Sequence, residues 1–467
     1  MYKPSWVLSC GVFLVGSGCG ALDPNAGDQE EPKAQLQNYA LRQNETFNLA
    51  GAAETAHTSG VIDTSNPFFL VRGTNPRTCE TCHAASQGWT ISAMGAATKF
   101  YLSDGLDPLF NLVDTGSRPD ADVSTSQARR DTFDSTIDRA VIRFTRTINP
   151  AAEFAVAAVS DPSGFSDTTR VSAFRRPSPT ANESKVPNTG WAGGPATAGV
   201  PAALAATAVG ATRLHGQRVE PLSPEDAAAE RDFMFGVIFA QSYDWLAGRL
   251  DADGARGGAQ NLMAQPFYEG INDITGGDPQ GHPFNRKVFN IFDAWENEQP
   301  SPTVSPWQAA ARASIYRGQE LFNSYEFTVS DVKGLNDVLG QPVAAVTCST
   351  CHNTPNVGGH SVFRQFDIGS ANEENCGAAL PILTLQNKTT GETRKVCDMG
   401  RATGSGSWND IGKFRAPPLR GLAARAPYFH DGQMGTIWDV VQYYDRHFSM
   451  GLSTQQKLDL TAFLRAL

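Results

Sequence analysis

Apolar residues along the chain fall on helical spacing in a few places, and those places lie near two cysteine-rich strings. The clearest run closes the chain: Leu460, Phe463, Leu464 and Leu467 follow i, i+3, i+4, i+7 spacing, with Ser453 or Thr454 placed to cap the helix. A second run, QAAARASIYRGQELFN, ends about 25 residues before Cys348. Strand signals are few and scattered. Between Gly248 and Pro306 the pattern dissolves into DADGARGG, NDITGGDPQGHP and NEQPSPTVSP, which predicts a domain boundary. A second irregular region, rich in Pro and Gly, runs from Asp161 to Ala203. Its conformation must come from tertiary contacts.

The first residues predict a compartment. Lys3 precedes an apolar stretch from Trp6 to Val15, followed by Gly16, Ser17 and Gly18 before Cys19, the order of an export signal. The small residues resemble a bacterial lipobox, with Gly16 where Leu is usual; Cys19 is then the lipidated N-terminus, and an ordinary cleaved signal is the alternative. Residues 20–45 are polar and aperiodic, a tether, and the ordered part should begin near Phe47. The stretch 192–211 is mostly Ala, Gly and Pro, too poor in large side chains for a membrane span. The expected divisions are an export signal over 1–19, a tether over 20–45, one domain over 46–247, an irregular interdomain segment over 248–306 and a second domain over 307–467.

A net charge of −10 over 467 residues argues against nucleic acid or an anionic membrane surface as a partner, leaving a lipid anchor as the membrane contact. It leaves room for a small basic redox protein. Of eight cysteines, Cys10 and Cys19 lie in the signal region, four lie in two motifs, and Cys376 and Cys397 remain. In an oxidising periplasm or cell envelope the last pair should form a disulfide; two buried thiols are the alternative.

The motifs are CETCH (Cys79, Cys82, His83) and CSTCH (Cys348, Cys351, His352). Covalent haem attachment needs two thiols about one turn apart with the iron ligand beside them, and each string supplies that set. A zinc site would want further Cys or His at finger spacing, and a redox dithiol a βαβ context; neither is visible. The expected cofactors are two covalently bound haem c groups. Helices before and after such a string are the cytochrome c arrangement, so the expected fold is mainly α, two cytochrome c-like haem domains with long irregular insertions. Between Cys79 and Trp191 the only histidine is His83, so the first iron lacks a nearby distal His and stands open to a small oxidant. Each of His57, His215, His282, His360, His430 and His447 starts as a structural residue rather than an iron ligand.

From Lys413 to Phe448 the chain reads KFRAPPLRGLAARAPYFHDGQMGTIWDVVQYYDRHF. This closely resembles the C-terminal haem domain of the bacterial di-haem cytochrome c peroxidase and MauG superfamily. Upstream, FRRPSPTANESKVPNTGW resembles that family's segment beside the first haem, with Asn182 one place early, and LAATAVGATRLHGQ and LSPEDAAAERDFMFGVIFAQ resemble its next helices more loosely. The resemblance implies that Trp191 carries electrons between the haems, that His430 sits near the second haem and the interdomain contact, and that Tyr444 occupies the axial position, with Met434 and Met450 as competing ligands. Two departures stand out. Where the family places its peroxide-cleaving carboxylate, this chain offers His215 and Gln217, of which only His215 can move a proton. The family's calcium uses an Asn side chain that aligns with Pro177, leaving carbonyls near Arg425 and Pro427 as donors. The leading reading is a peroxide-reducing oxidoreductase. The alternatives are a haem oxygenase cleaving an organic substrate with dioxygen, as the related rubber oxygenases do, and a plain electron carrier.

Overall fold

Two crossing helices carry the C-terminal core. Pro306–Ser324 begins at Ser305, whose side chain accepts from the Gln308 amide, and Thr454–Arg465 begins at Ser453 in a reciprocal capping box with Gln456. They meet at Gly318, where an added Cβ would lie 2.0 Å from the Asp459 carbonyl oxygen, so only glycine lets the two backbones approach. Phe322, Phe463, Leu460 and Leu464 pack there with Phe289, Phe292 and Trp295. The last three come from the irregular segment 248–306, which thereby supplies core to the C-terminal half. The computed structural model describes residues 41–42, 44–193 and 199–467; the export signal, Cys10, Cys19 and most of the tether lie outside the described residues.

In the N-terminal half, helices Gly199–Leu214 and Pro224–Gly236 pack Leu204, Phe233 and Met234 against Phe68 and Trp89, with Cys79 at the margin. A separate cluster of Ile91, Phe100, Leu109, Phe110, Phe133 and Ile137 reaches Cys82. The CETCH turn is thus held between two apolar clusters.

The expectation of a mainly α fold needs correction in part. Twelve α-helices are joined among the described residues by eleven strands in four small sheets. In the largest, Val237–Asp244 pairs antiparallel with Gly51–His57. The VIFAQ stretch that resembled the end of a helix is therefore a strand, with six consecutive buried residues from Val237 to Ser242. Burial on both faces erases the alternation that marks a half-exposed strand. Another sheet joins Phe154–Ser160 to Ile382–Asn387, tying an insertion of the N-terminal half to one of the C-terminal half. Residues Leu41–Leu467 accordingly pack as one unit. No helix of the described residues is long and apolar enough to cross a membrane.

Candidate haem sites

Both cysteine strings fold as a short helical turn under the same cap. The Thr78 amide donates to the Thr81 hydroxyl at 3.0 Å and the Thr81 amide returns to the Thr78 hydroxyl at 3.2 Å; Thr347 and Thr350 repeat the box. The amides of His83 and His352 close the turns on the carbonyls of Cys79 and Cys348, at 3.0 and 3.1 Å. All four cysteines are free, and burial pushes Cys82 up to about 11 and Cys348 and Cys351 up to about 12, so they are neutral thiols.

The two histidines are poised alike. Nδ1 of His83 donates to the Trp89 carbonyl at 3.1 Å, and Nδ1 of His352 donates to the Gly358 carbonyl at 2.5 Å, six residues on in each case. That tautomer leaves Nε2 as the lone-pair nitrogen, the orientation of a metal-binding imidazole. Burial lowers both rings to about 4, which keeps them neutral at pH 7, as ligation requires.

Beside Cys348, Cys351 and His352 opens a cavity of about 220 Å³, walled by residues such as Val329, Val346, Leu419 and Val441. Tyr444 and Met450 line it. Met434 is absent from its walls and pairs through its backbone with Tyr428. Burial, reinforced by Cys351, pushes the Tyr444 phenol far up, so it would ionise only against a strong positive charge such as ferric iron.

The cavity also holds three buried guanidiniums. Arg176, Arg415 and Arg425 line it, and only Arg415 meets a carboxylate, Glu183 at 3.2 Å. Arg176 donates to the Ile91 carbonyl and Arg425 to that of Pro418; Nε of Arg176 and of Arg415 lacks a partner among the described residues. Burial pulls Arg176 down to about 9 and Arg425 down to about 10. Buried cations without counter-ions are costly, several kcal/mol each. An apolar, two-carboxylate group such as haem would resolve this, since the walls are apolar and the arginines would take its carboxylates. The residues fit covalently bound haem c. They do not fit calcium: the Pro177 carbonyl already accepts from the Thr90 hydroxyl at 2.5 Å, and the Arg176 and Arg425 charges repel a divalent cation there.

Trp191, His430 and Tyr444 all line this cavity. The Trp191 indole donates to the Arg176 carbonyl at 2.8 Å, and the Arg176 amide donates to the His430 carbonyl at 2.6 Å. Because the Arg176 side chain reaches the Ile91 carbonyl at 2.7 Å, two residues beyond Trp89, this one residue joins the first-motif loop to Trp191 and the second cavity. His430 stacks on Phe414 at 4.0 Å and meets Trp191 edge-on at 6.5 Å. Burial lowers its pKa against the opposing charges of Asp431 and Asp398. Asp398 is held bidentately by Arg175 at 2.6 and 2.7 Å, next to Cys397, which is bonded to Cys376 across a Cα separation of 6.0 Å. Cys397, His430 and Asp431 lie within 4.8 Å of one another, yet the disulfide leaves Cys397 no thiolate for a metal.

His215 stands apart from this cavity, near the first motif, where its carbonyl accepts from Asn75 Nδ2 at 2.6 Å and its Nδ1 meets Asp114 Oδ2 at 2.5 Å. Arg176, Arg425 and Asp114 are site residues that pattern reading missed. Arg176 lies inside the FRRPSPTAN segment and was within reach of it. Asp114 is 101 residues from His215, and no local signal links them.

A family model described as RoxA-like, cytochrome c-like, matches residues 413–449. The cytochrome-c peroxidase IdrP1 of Denitromonas iodatirespirans is 31% identical over 140 residues, covering 26% of this chain and 36% of that protein. Over this part the chain is similar to bacterial di-haem cytochrome c peroxidases. The cytochrome c551 peroxidase of Pseudomonas aeruginosa is 30% identical over 121 residues, covering 26% of this chain and 30% of that one. The matches thus span about a third of these relatives. The crystal structure of a MauG-like protein associated with microbial copper homeostasis aligns over 86% of this chain and 87% of that one, at 14% identity and a TM-score of 0.36, too slight a likeness to decide the fold.

Proposed function

We propose that the protein is an exported di-haem c-type oxidoreductase that reduces peroxide at a haem held by Cys79, Cys82 and His83, with a second haem on Cys348, Cys351 and His352 as electron relay. The observation that carries this reading is the connection through Arg176: one buried residue contacts the first-motif loop, Trp191, His430 and the cavity of the second motif. Haem c supplies the redox chemistry and the binding of a small oxygen ligand. The chain does the rest. Its histidines would present Nε2 to the haems, Arg176 and Arg425 would hold carboxylates of the second, Trp191 would give the electron path between the halves, and Tyr444 would face the second haem. His215 handles the proton near the first. Cys19 anchors the protein by lipid in the periplasm or cell envelope, where a small redox protein delivers electrons.

The test is peroxide consumption with a reduced small c-type cytochrome as donor. Two donor equivalents should be oxidised per peroxide, and W191F should lose at least about tenfold in turnover with both haems retained. No peroxide-dependent donor oxidation would sink the reading. The RoxA-like match at 413–449 favours a second reading, cleavage of an organic substrate with dioxygen; oxygen uptake that needs an organic substrate and no donor would establish that instead.

A further inference from the structure

The segment entering the first haem motif is laced to the end of helix Gly199–Leu214. Asn75 Nδ2 donates to the His215 carbonyl at 2.6 Å, the Thr74 hydroxyl to the Gln217 carbonyl at 2.9 Å, and Arg218 to the Arg72 carbonyl at 2.8 Å. Gly73 and Gly216 touch so closely that a Cβ on Gly73 would lie 1.8 Å from the Gly216 carbonyl oxygen. His215 is therefore fixed in place relative to Cys79 and His83 by its own backbone.

Its ring is fixed as well. Asp114 Oδ2 lies 2.5 Å from His215 Nδ1, while Asp114 Oδ1 takes Arg77 Nη1 at 2.6 Å. Arg77, two residues before Cys79, spends its remaining donors on the carbonyls of Pro108 and Leu109 at 2.8 and 2.6 Å. The side chains of Arg77 and Asp114 are 3% and 6% exposed, whereas that of His215 is 28% exposed. The charged groups around this pair are Arg77 and Arg143, whose amide donates to the Asp114 carbonyl at 2.6 Å, and the titratable neighbour is the neutral His83. Burial pushes the Asp114 carboxyl up, but the His215 hydrogen bond and the Arg77 charge outweigh it and hold the group below its ordinary value, as a carboxylate. A carboxylate on Nδ1–H leaves Nε2 as the nitrogen that takes and returns a proton.

We propose that Asp114, clamped by Arg77, is the positioning residue that holds His215 with Nε2 free to exchange the proton of a small neutral acid arriving at the first haem. In the exchange the acid's O–H or C–H bond breaks, the proton goes to Nε2, and the electron pair stays with the departing anion. The inference rests on the reading of an open first haem, and it adds a buried dyad to the single histidine of that reading.

The test is the rate of cyanide binding to the ferric holoprotein by stopped flow between pH 5 and 9, because hydrogen cyanide must lose its proton to bind. H215Q should lower the rate at pH 7 by about 100-fold and leave a rate that rises with pH only as the fraction of free cyanide anion does. D114N, which keeps the imidazole, should lower the rate by roughly tenfold and move the pH dependence to lower pH. H215Q alters a partly exposed side chain, so it remains informative if D114N fails to fold. A wild-type rate and pH profile in H215Q would overturn the proposal, as would an unshifted profile in folded D114N, and so would a wild-type protein that binds no cyanide, which would also end the open-haem reading. Cyanide binding that depends on His215 in a protein that does not consume peroxide would uphold the dyad and sink peroxide reduction alone.

Discussion

His352 Nδ1 donates to the carbonyl of Gly358 at 2.5 Å, and His83 makes the equivalent bond to Trp89, 269 positions earlier in the chain. Each follows a threonine-capped turn, so attachment should be independent at the two sites. A pyridine haemochrome assay is expected to find two thioether-bound haems per chain in the wild type and one in C79A/C82A and in C348A/C351A.

The distal sides should differ. Tyr444 lines the second cavity, and a bound phenolate lowers the potential of ferric iron relative to a thioether. Y444F is expected to raise the potential of one haem by on the order of 0.1 V, a fraction of the roughly 0.8 V that axial ligands span, and to leave the other unmoved. Spectroelectrochemical titration reads both at once.

Glu230 is fully buried, and neither carboxylate oxygen has a hydrogen-bond partner among the described residues. Burial raises it from an ordinary 4.5 to about 6, against the pull of Arg72. The folded state therefore holds the proton more tightly than the unfolded chain. Its contribution is fully present below pH 4.5, falls as pH rises through 6, and is gone above it. The shift corresponds to about 2 kcal/mol. Denaturant unfolding at pH 4.5 and pH 7 should show that loss in the wild type, and E230Q should remove it.

How much of this was legible in the chain depended on whether a feature was local. Cys79, Cys82 and His83 are contiguous because thioether chemistry requires it, and Ser453, Leu460 and Phe463 obey helical spacing because one face is buried. The strand Val237–Asp244 lost its alternation because both faces are covered. Asp114 acts through a partner far away in sequence, and Glu230 through having none among the described residues; no spacing rule registers either condition.

The helix crossing at Gly318 gives a stability test away from the haems. An alanine there would press its Cβ on the Asp459 carbonyl and force helix Pro306–Ser324 away from helix Thr454–Arg465. G318A should cost about 1–3 kcal/mol, read as a lowered midpoint of thermal unfolding with unchanged haem content.

The two haems should differ in openness. Low-temperature EPR of the ferric protein tests it most directly. The predicted spectrum has one high-spin signal, from the His83 haem, that changes when cyanide is added, and one low-spin signal, from the His352 haem, that does not. Two low-spin signals, both indifferent to cyanide, would contradict it.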